Sequence, residues 1–76
     1  MRALGIDPGI GRCGFGVVEK NQNHIIPVDF GVIETSKEQD SLERLNIVYE
    51  GVAELIETYR PQFMGVESLY FNTNIT

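Results

Sequence analysis

The chain has 76 residues, 42% of them hydrophobic and 22% charged, with a formal net charge of −5. This length allows one small domain, burying about 60% of its unfolded surface, or a part of a larger one. The acidic balance, taken alone, argues against a nucleic-acid partner, because phosphate binding favours basic surface. Apolar runs are too short for a transmembrane helix, and Asp7 interrupts the start too early for a signal peptide. We therefore expect a cytoplasmic protein with no membrane partner.

The first half of the chain predicts three antiparallel strands, over residues 2–8, 12–19 and 25–35. The first of these strands is apolar on both faces, as in a buried central strand. A polar cluster at residues 20–24 predicts a hairpin turn. Pro27 places the third strand at a sheet edge or at a bulge, because proline cannot donate a ladder hydrogen bond.

The single cysteine and the single histidine are not expected to act in catalysis. Cys13 has no partner for a disulfide or a multi-cysteine metal site, and it is expected as a small apolar residue on the second strand. His24 follows Asn21, Gln22 and Asn23 and is expected in an exposed turn.

A helix is predicted between a cap at Asp40 or Ser41 and a stop at Pro61. Gly51 inside it costs about 1 kcal/mol relative to alanine, and a close approach of helix to sheet would explain it. The apolar stripe, with Tyr49 and Tyr59 expected to face the core, consists of Leu42, Leu45, Val48, Tyr49, Val52, Leu55, Ile56 and Tyr59. The opposite face carries Glu43, Arg44, Glu50, Glu54 and Glu57.

Residues 62–67 predict a fourth strand, which returns after the helix. A helical crossover gives a parallel connection, and the free side of the first strand is the natural partner. The phrase Leu4-Gly5-Ile6-Asp7 then lies beside Met64-Gly65-Val66-Glu67. Each phrase places a glycine and a carboxylate on the same face of its strand.

The two carboxylates, taken singly, have ordinary explanations. Asp7 before Pro8-Gly9 is a common turn former, and Glu67 could mark a return to solvent. Together, on adjacent strand ends about 5 Å apart, they predict a shared divalent cation, because an ion removes the repulsion between like charges. Mg²⁺ fits such a site, since it uses few carboxylates and keeps positions for water and phosphate.

These segments resemble a known family. Leu4-Gly5-Ile6-Asp7-Pro8-Gly9, followed by Arg12-Cys13-Gly14-Phe15-Gly16-Val17-Val18, resembles the start of RuvC, the bacterial Holliday-junction resolvase family. Gly65-Val66-Glu67, with Tyr70-Phe71 and Asn74, resembles its second acidic motif and the following loop. Leu42-Glu43-Arg44-Leu45 and Arg60-Pro61 also match, so the resemblance covers essentially the whole chain.

The resemblance implies an RNase H-like α/β fold, a five-stranded mixed sheet with helices on both faces. Residues 1–76 would form the N-terminal portion of one nuclease domain. It implies a homodimer that cuts four-way DNA junctions symmetrically, working with a branch-migration helicase complex. Asp7 and Glu67 would be two of four carboxylates that hold two Mg²⁺ or Mn²⁺ ions. The other two ligands, and most of the basic DNA-binding surface, would belong to the C-terminal half of the fold, which these residues do not include.

The aromatic pair after the second motif has two interpretations. Aromatic residues after a strand usually belong to a core, and this is expected of Phe71. The resemblance implies that Tyr70 instead stacks on unpaired bases at the branch point, and that Asn74 also contacts DNA.

Three other functions fit parts of the sequence. Actin-like ATPases and sugar kinases open with a similar Gly-x-Asp-x-Gly strand, but a hydroxyl residue usually follows where Ile10 and Gly11 stand here. An RNase H-like nuclease that processes ribosomal RNA has a similar opening motif. A non-enzymatic folding or dimerisation unit would need no complete site.

Overall fold

The computed structural model describes residues 1–9 and 11–67 of the chain. Four strands form one mixed sheet in the order β3-β2-β1-β4, with β1–β2 and β2–β3 antiparallel and β1–β4 parallel. The elements are β1 (Arg2–Asp7), β2 (Arg12–Asn21), β3 (His24–Glu34), α1 (Ser41–Tyr59) and β4 (Phe63–Val66). The predicted meander, crossover helix and parallel fourth strand are confirmed, and strand ends differ from the predicted ones by one or two residues.

Polar residues form the turn between β2 and β3, and proline coincides with an irregularity in β3. Asn21 pairs with His24, so the hairpin loop is two residues long, and Gln22 adopts a left-handed φ of 57°. β3 is an edge strand, and its register with β2 shifts where Val18 pairs with Pro27. Pro27 therefore lies at both an edge and a bulge, which are the two places where a strand tolerates proline.

Both ends of α1 are capped by local interactions. Of the two candidate caps, Asp40 is the N-cap: its side chain accepts from the backbone N–H of Glu43 at 2.8 Å. The Glu43 side chain accepts from the Asp40 N–H at 3.4 Å, which completes a capping box. At the other end Arg60 adopts a left-handed conformation with φ 48°, and Pro61 prevents further helix.

The core lies between α1 and one face of the sheet, which we call the helix face. Its fully or nearly fully buried residues are Leu4, Ile6, Cys13 and Val17. The half-buried residues packed against them are Phe15, Ile33, Val48, Val52, Leu55 and Tyr59. Cys13 is thus a buried strand residue, as expected, and β1 is the central strand with a covered helix face.

The predicted apolar stripe of α1 is wider than the surface that the sheet covers. Tyr49 is 70% exposed, so the expectation that it faces the core is wrong, whereas Tyr59 does pack against the core. Leu42, Leu45 and Ile56 are also exposed. The reason is geometric, because α1 meets the sheet along only one side of its stripe.

Among the described residues, no helix is long and apolar enough to cross a membrane.

Gly51 lies at a close approach of α1 to the sheet. A Cβ atom built there would lie 2.7 Å from Cδ1 of Ile33, with Cγ1 and Cγ2 at 3.1 and 3.2 Å. All three distances are too short for carbon atoms in contact. The close approach expected from the sequence is therefore present.

Gly51→Ala is expected to lower the free energy of unfolding by about 1 kcal/mol. Overpacking against Ile33 costs about 1–3 kcal/mol, and the better helix propensity of alanine returns about 1 kcal/mol. Equilibrium unfolding in urea measures the difference. In an Ile33→Val background, which lacks Cδ1, the penalty should shrink. A neutral or stabilising Gly51→Ala in the otherwise unchanged protein would contradict this account.

Polar contacts fasten the C-terminal end of α1 to the sheet. The Tyr59 hydroxyl donates a hydrogen bond to a carboxylate oxygen of Asp29, and this bond raises the pKa of the Tyr59 hydroxyl. Nη1 of Arg2 donates to the backbone oxygen of Tyr59 at 3.2 Å, and Nε donates to Glu19 at 3.0 Å. Hydrogen bonds from the Met1 ammonium group and from Arg2 lower the pKa of Glu19. The N-terminal end of β1 is thereby held, and Asp7 lies at its other end.

Candidate functional site

The sheet face opposite α1, which we call the glycine face, forms an open groove of about 910 Å³. Residues paired across the sheet share a face, so the register places Gly5 beside Gly16 and Gly65 on this side. The groove is lined by Gly5, Ile6, Asp7, Gly14, Phe15, Gly16, Phe30, Gly31, Val32, Gly65, Val66 and Glu67. Both predicted ligands therefore line one surface.

Asp7 and Glu67 occupy neighbouring positions at the carboxyl ends of β1 and β4. Ile6 pairs with Val66, and the backbone N–H of Glu67 donates to the Ile6 oxygen at 3.0 Å. Neighbouring strands are about 5 Å apart, so Asp7 and Glu67, which follow the paired Ile6 and Val66, lie side by side. The adjacency expected from the sequence is present, and the role of the two carboxylates as metal ligands stays a prediction.

The turn after Asp7 depends on glycine. A Cβ atom at Gly9 would lie 2.4 Å from the backbone oxygen of Arg12, which no side chain could tolerate. Pro8 ends the β1 ladder at the same point, because it has no N–H to donate. The chain thus leaves the sheet directly after Asp7, and the Asp7 side chain is exposed.

The glycines around the carboxylates leave their face uncovered by the part of the chain that the structure describes. A Cβ at Gly14 would lie 3.7 Å from Cβ of Asp7, so a larger side chain there would crowd the carboxylate. A Cβ at Gly16 or Gly65 would meet no atom within 4 Å. Packing among the described residues therefore does not require glycine at those two positions, and the bare face leaves room for a ligand next to the carboxylates.

The donor set fits part of a magnesium site. Two exposed carboxylates offer oxygen ligands, which hard divalent cations prefer, and leave coordination positions for water and phosphate oxygens. Within residues 1–9 and 11–67, no three His, Cys, Asp or Glu side chains converge as a complete ligand group would. These residues can thus supply two ligands to a site that needs others.

The remaining predicted site residues, Tyr70 and Asn74, stay predictions. Tyr70, Asn74 and Phe71 lie outside the described residues. His24 is exposed in the β2–β3 hairpin, at the end of the sheet far from Asp7, as expected for a turn residue.

Two groove residues were missed by sequence reasoning. Phe30 and Val32 are 80% and 43% exposed and border the groove on the β3 side. The sequence signal that could have found them is that β3 carries apolar residues on both of its faces, which is unusual for an edge strand with one face in water.

Comparison with known proteins identifies the family. The family profile described as "Crossover junction endodeoxyribonuclease RuvC" matches residues 3–76. The chain belongs to the RuvC family. The crossover junction endodeoxyribonuclease RuvC of Geotalea uraniireducens is 48% identical over 75 residues, covering 99% of this chain and 44% of that protein. The chain spans less than half the length of such relatives.

Solved structures agree on the fold. RuvC of Thermus thermophilus in complex with Holliday junction substrate superposes with a TM-score of 0.85 at 30% identity, covering 93% of this chain and 46% of that one. The RNase H-like fold class is thereby confirmed. The PPX-GPPA enzyme of Aquifex aeolicus superposes with a TM-score of 0.69 at 18% identity, over 87% of this chain and 25% of that one, which shows a shared fold alone.

Proposed function

We propose that this chain is the N-terminal portion of a single nuclease domain whose protein is a structure-specific endonuclease. Its substrate would be the four-way Holliday junction of recombination and DNA repair, and its reaction metal-dependent phosphodiester hydrolysis. The observation that carries the proposal is the side-by-side position of Asp7 and Glu67 on parallel strand ends, in a chain of the RuvC family. A solved relative is described as bound to Holliday junction substrate.

The proposed chemistry divides between these two residues and the groove. Asp7 at the end of the central strand would bridge two Mg²⁺ or Mn²⁺ ions, and Glu67 would hold one of them. Bound there, such ions would activate a water molecule and stabilise the leaving 3′-oxygen. The glycine face lets the DNA backbone approach the carboxylates without meeting side chains at Gly5, Gly14 or Gly65. The strands fix the backbones of Asp7 and Glu67, so the two carboxylates would hold the ions in a defined position.

Further parts of the proposal rest on the family alone. Tyr70 would stack on bases at the branch point, and Asn74 would also contact DNA. The protein would act as a homodimer, which presents two sites to the two strands that are cut, and would work with a branch-migration helicase complex. It would act in the cytoplasm, where bacterial chromosomal DNA lies.

The test is cleavage by the full-length protein that contains this chain. With Mg²⁺ or Mn²⁺, a labelled four-way junction should yield symmetric nicks, whereas a linear duplex of the same sequence should stay intact. Chelation of the metal by EDTA should stop the reaction. Equal cleavage of both DNAs, or no cleavage of either with either metal, would contradict the proposal.

The alternative functions predict different results. An actin-like ATPase or sugar kinase would be stabilised against heat by ATP, and a ribosomal-RNA-processing nuclease would cut precursor RNA in preference to the junction. The sequence identity of 48% to a named junction endonuclease favours the junction.

A further inference from the structure

We infer that Arg12 binds a DNA backbone phosphate next to the cleavage site, an inference that rests on the proposed function. Asp7 pairs with Gly14, and Arg12 lies two residues along β2 from that pair, about 7 Å away. Residues two apart on a strand share a face, so Arg12 belongs to the glycine face. It stands beside Asp7 on the adjacent strand, at the edge where the proposed chemistry occurs.

The guanidinium of Arg12 is available for a ligand. Its side chain is 72% exposed, and its closest acidic neighbour, Glu34, is 66% exposed with Nε and Oε2 3.8 Å apart. That separation is too long for a hydrogen bond, and an exposed pair of this kind contributes little. A phosphate oxygen could therefore replace Glu34 at small cost, and arginine binds phosphate through two parallel N–H donors.

The acidic side chains around Arg12 increase the importance of its single positive charge for DNA binding. Asp7 and Glu67 line the groove, and Glu34 shares the edge with them. These carboxylates repel a DNA backbone wherever no cation intervenes. A fixed positive charge beside them would lower that repulsion for the phosphate adjacent to the one being cut.

The five other cationic residues of the chain are placed differently. Lys37 lies in the exposed turn that follows β3, outside the sheet. Arg2 is engaged with Glu19 and Tyr59 at the far end of the sheet, and Lys20 lies at that end too. Arg44 is half-buried and donates to Thr35, and Arg60 caps the far end of α1. Arg12 is the one cationic residue among the described strands that shares the glycine face and the Asp7 end.

The experiment measures junction binding by the full-length protein at several salt concentrations, with Ca²⁺ in place of Mg²⁺ so that no cleavage intervenes. Arg12→Gln should weaken binding about 3- to 10-fold near 0.1 M salt and lower the salt slope by about 0.9, the value of one phosphate contact. Arg12→Lys keeps the charge and should retain the slope.

The matched control is Arg60→Gln, which removes a 75%-exposed arginine at the opposite end of the molecule. It should leave both the affinity and the slope unchanged. Equal losses for the two variants would show a general effect of net charge and overturn the assignment, as would an unchanged slope for Arg12→Gln. Failure of the unmutated protein to bind the junction would instead reject the proposed function.

Discussion

Replacing Asp7 by asparagine is expected to abolish junction cleavage by the full-length protein, lowering the rate by about 10³-fold or more. The amide has nearly the same shape but no charge, so it would hold the proposed divalent cations much more weakly than the carboxylate does. Asp7 is exposed at the end of β1 and no described side chain depends on it for an ion pair or hydrogen bond, so the fold should persist. Single-turnover cleavage and junction binding, measured on the same preparation, separate the two effects.

The control for this change is Glu54→Gln, which neutralises a carboxylate on the exposed side of α1, away from the groove. Its cleavage rate should match that of the unmutated protein. If Asp7→Asn lost binding or thermal stability in step with cleavage, Asp7 would have a structural role, and the metal interpretation of the carboxylate pair would be wrong.

A polypeptide of residues 1–76 alone is expected to cleave no junction, even with Mn²⁺. Within the described residues only Asp7 and Glu67 converge, and no group of three metal-ligating side chains forms. Two carboxylates leave the second of the two proposed ions without enough protein ligands. The net charge of −5 also opposes DNA binding.

The measurement compares this polypeptide with the full-length protein at equal concentration, after circular dichroism has shown that the sheet and helix are formed. Structure-specific nicking above the background without protein would contradict the expectation. It would mean that the two carboxylates suffice, and the four-ligand site implied by the family would then need revision.

Much of the fold follows from short-range patterns. The Asp40–Glu43 capping box, the hairpin at residues 22–23 and the stop at Pro61 depend on neighbours in sequence, so their residue types indicate them directly. The placement of β4 beside β1 needed one further rule, the parallel crossover, together with the edge position of Pro27. These rules also placed Asp7 next to Glu67.

Other features depend on which surfaces are covered, and periodicity alone does not specify that. The spacing of Tyr49 and Tyr59 put both on one stripe, yet only Tyr59 packs against the core, because the sheet meets one side of α1. The choice of Asp40 over Ser41 as cap required the backbone conformation.

The glycine–carboxylate phrases, with their period-two alternation, were enough to predict two ligands on one face of the sheet. Strand register, which depends on long-range pairing, was needed to show that Phe30, Val32 and Arg12 share that face. Alternation along a strand sorts residues into two sets, but only packing decides which set the helix covers. Here α1 covers the set with Leu4 and Val17, because their large apolar side chains gain most from leaving water, and the described residues leave the glycines and carboxylates uncovered.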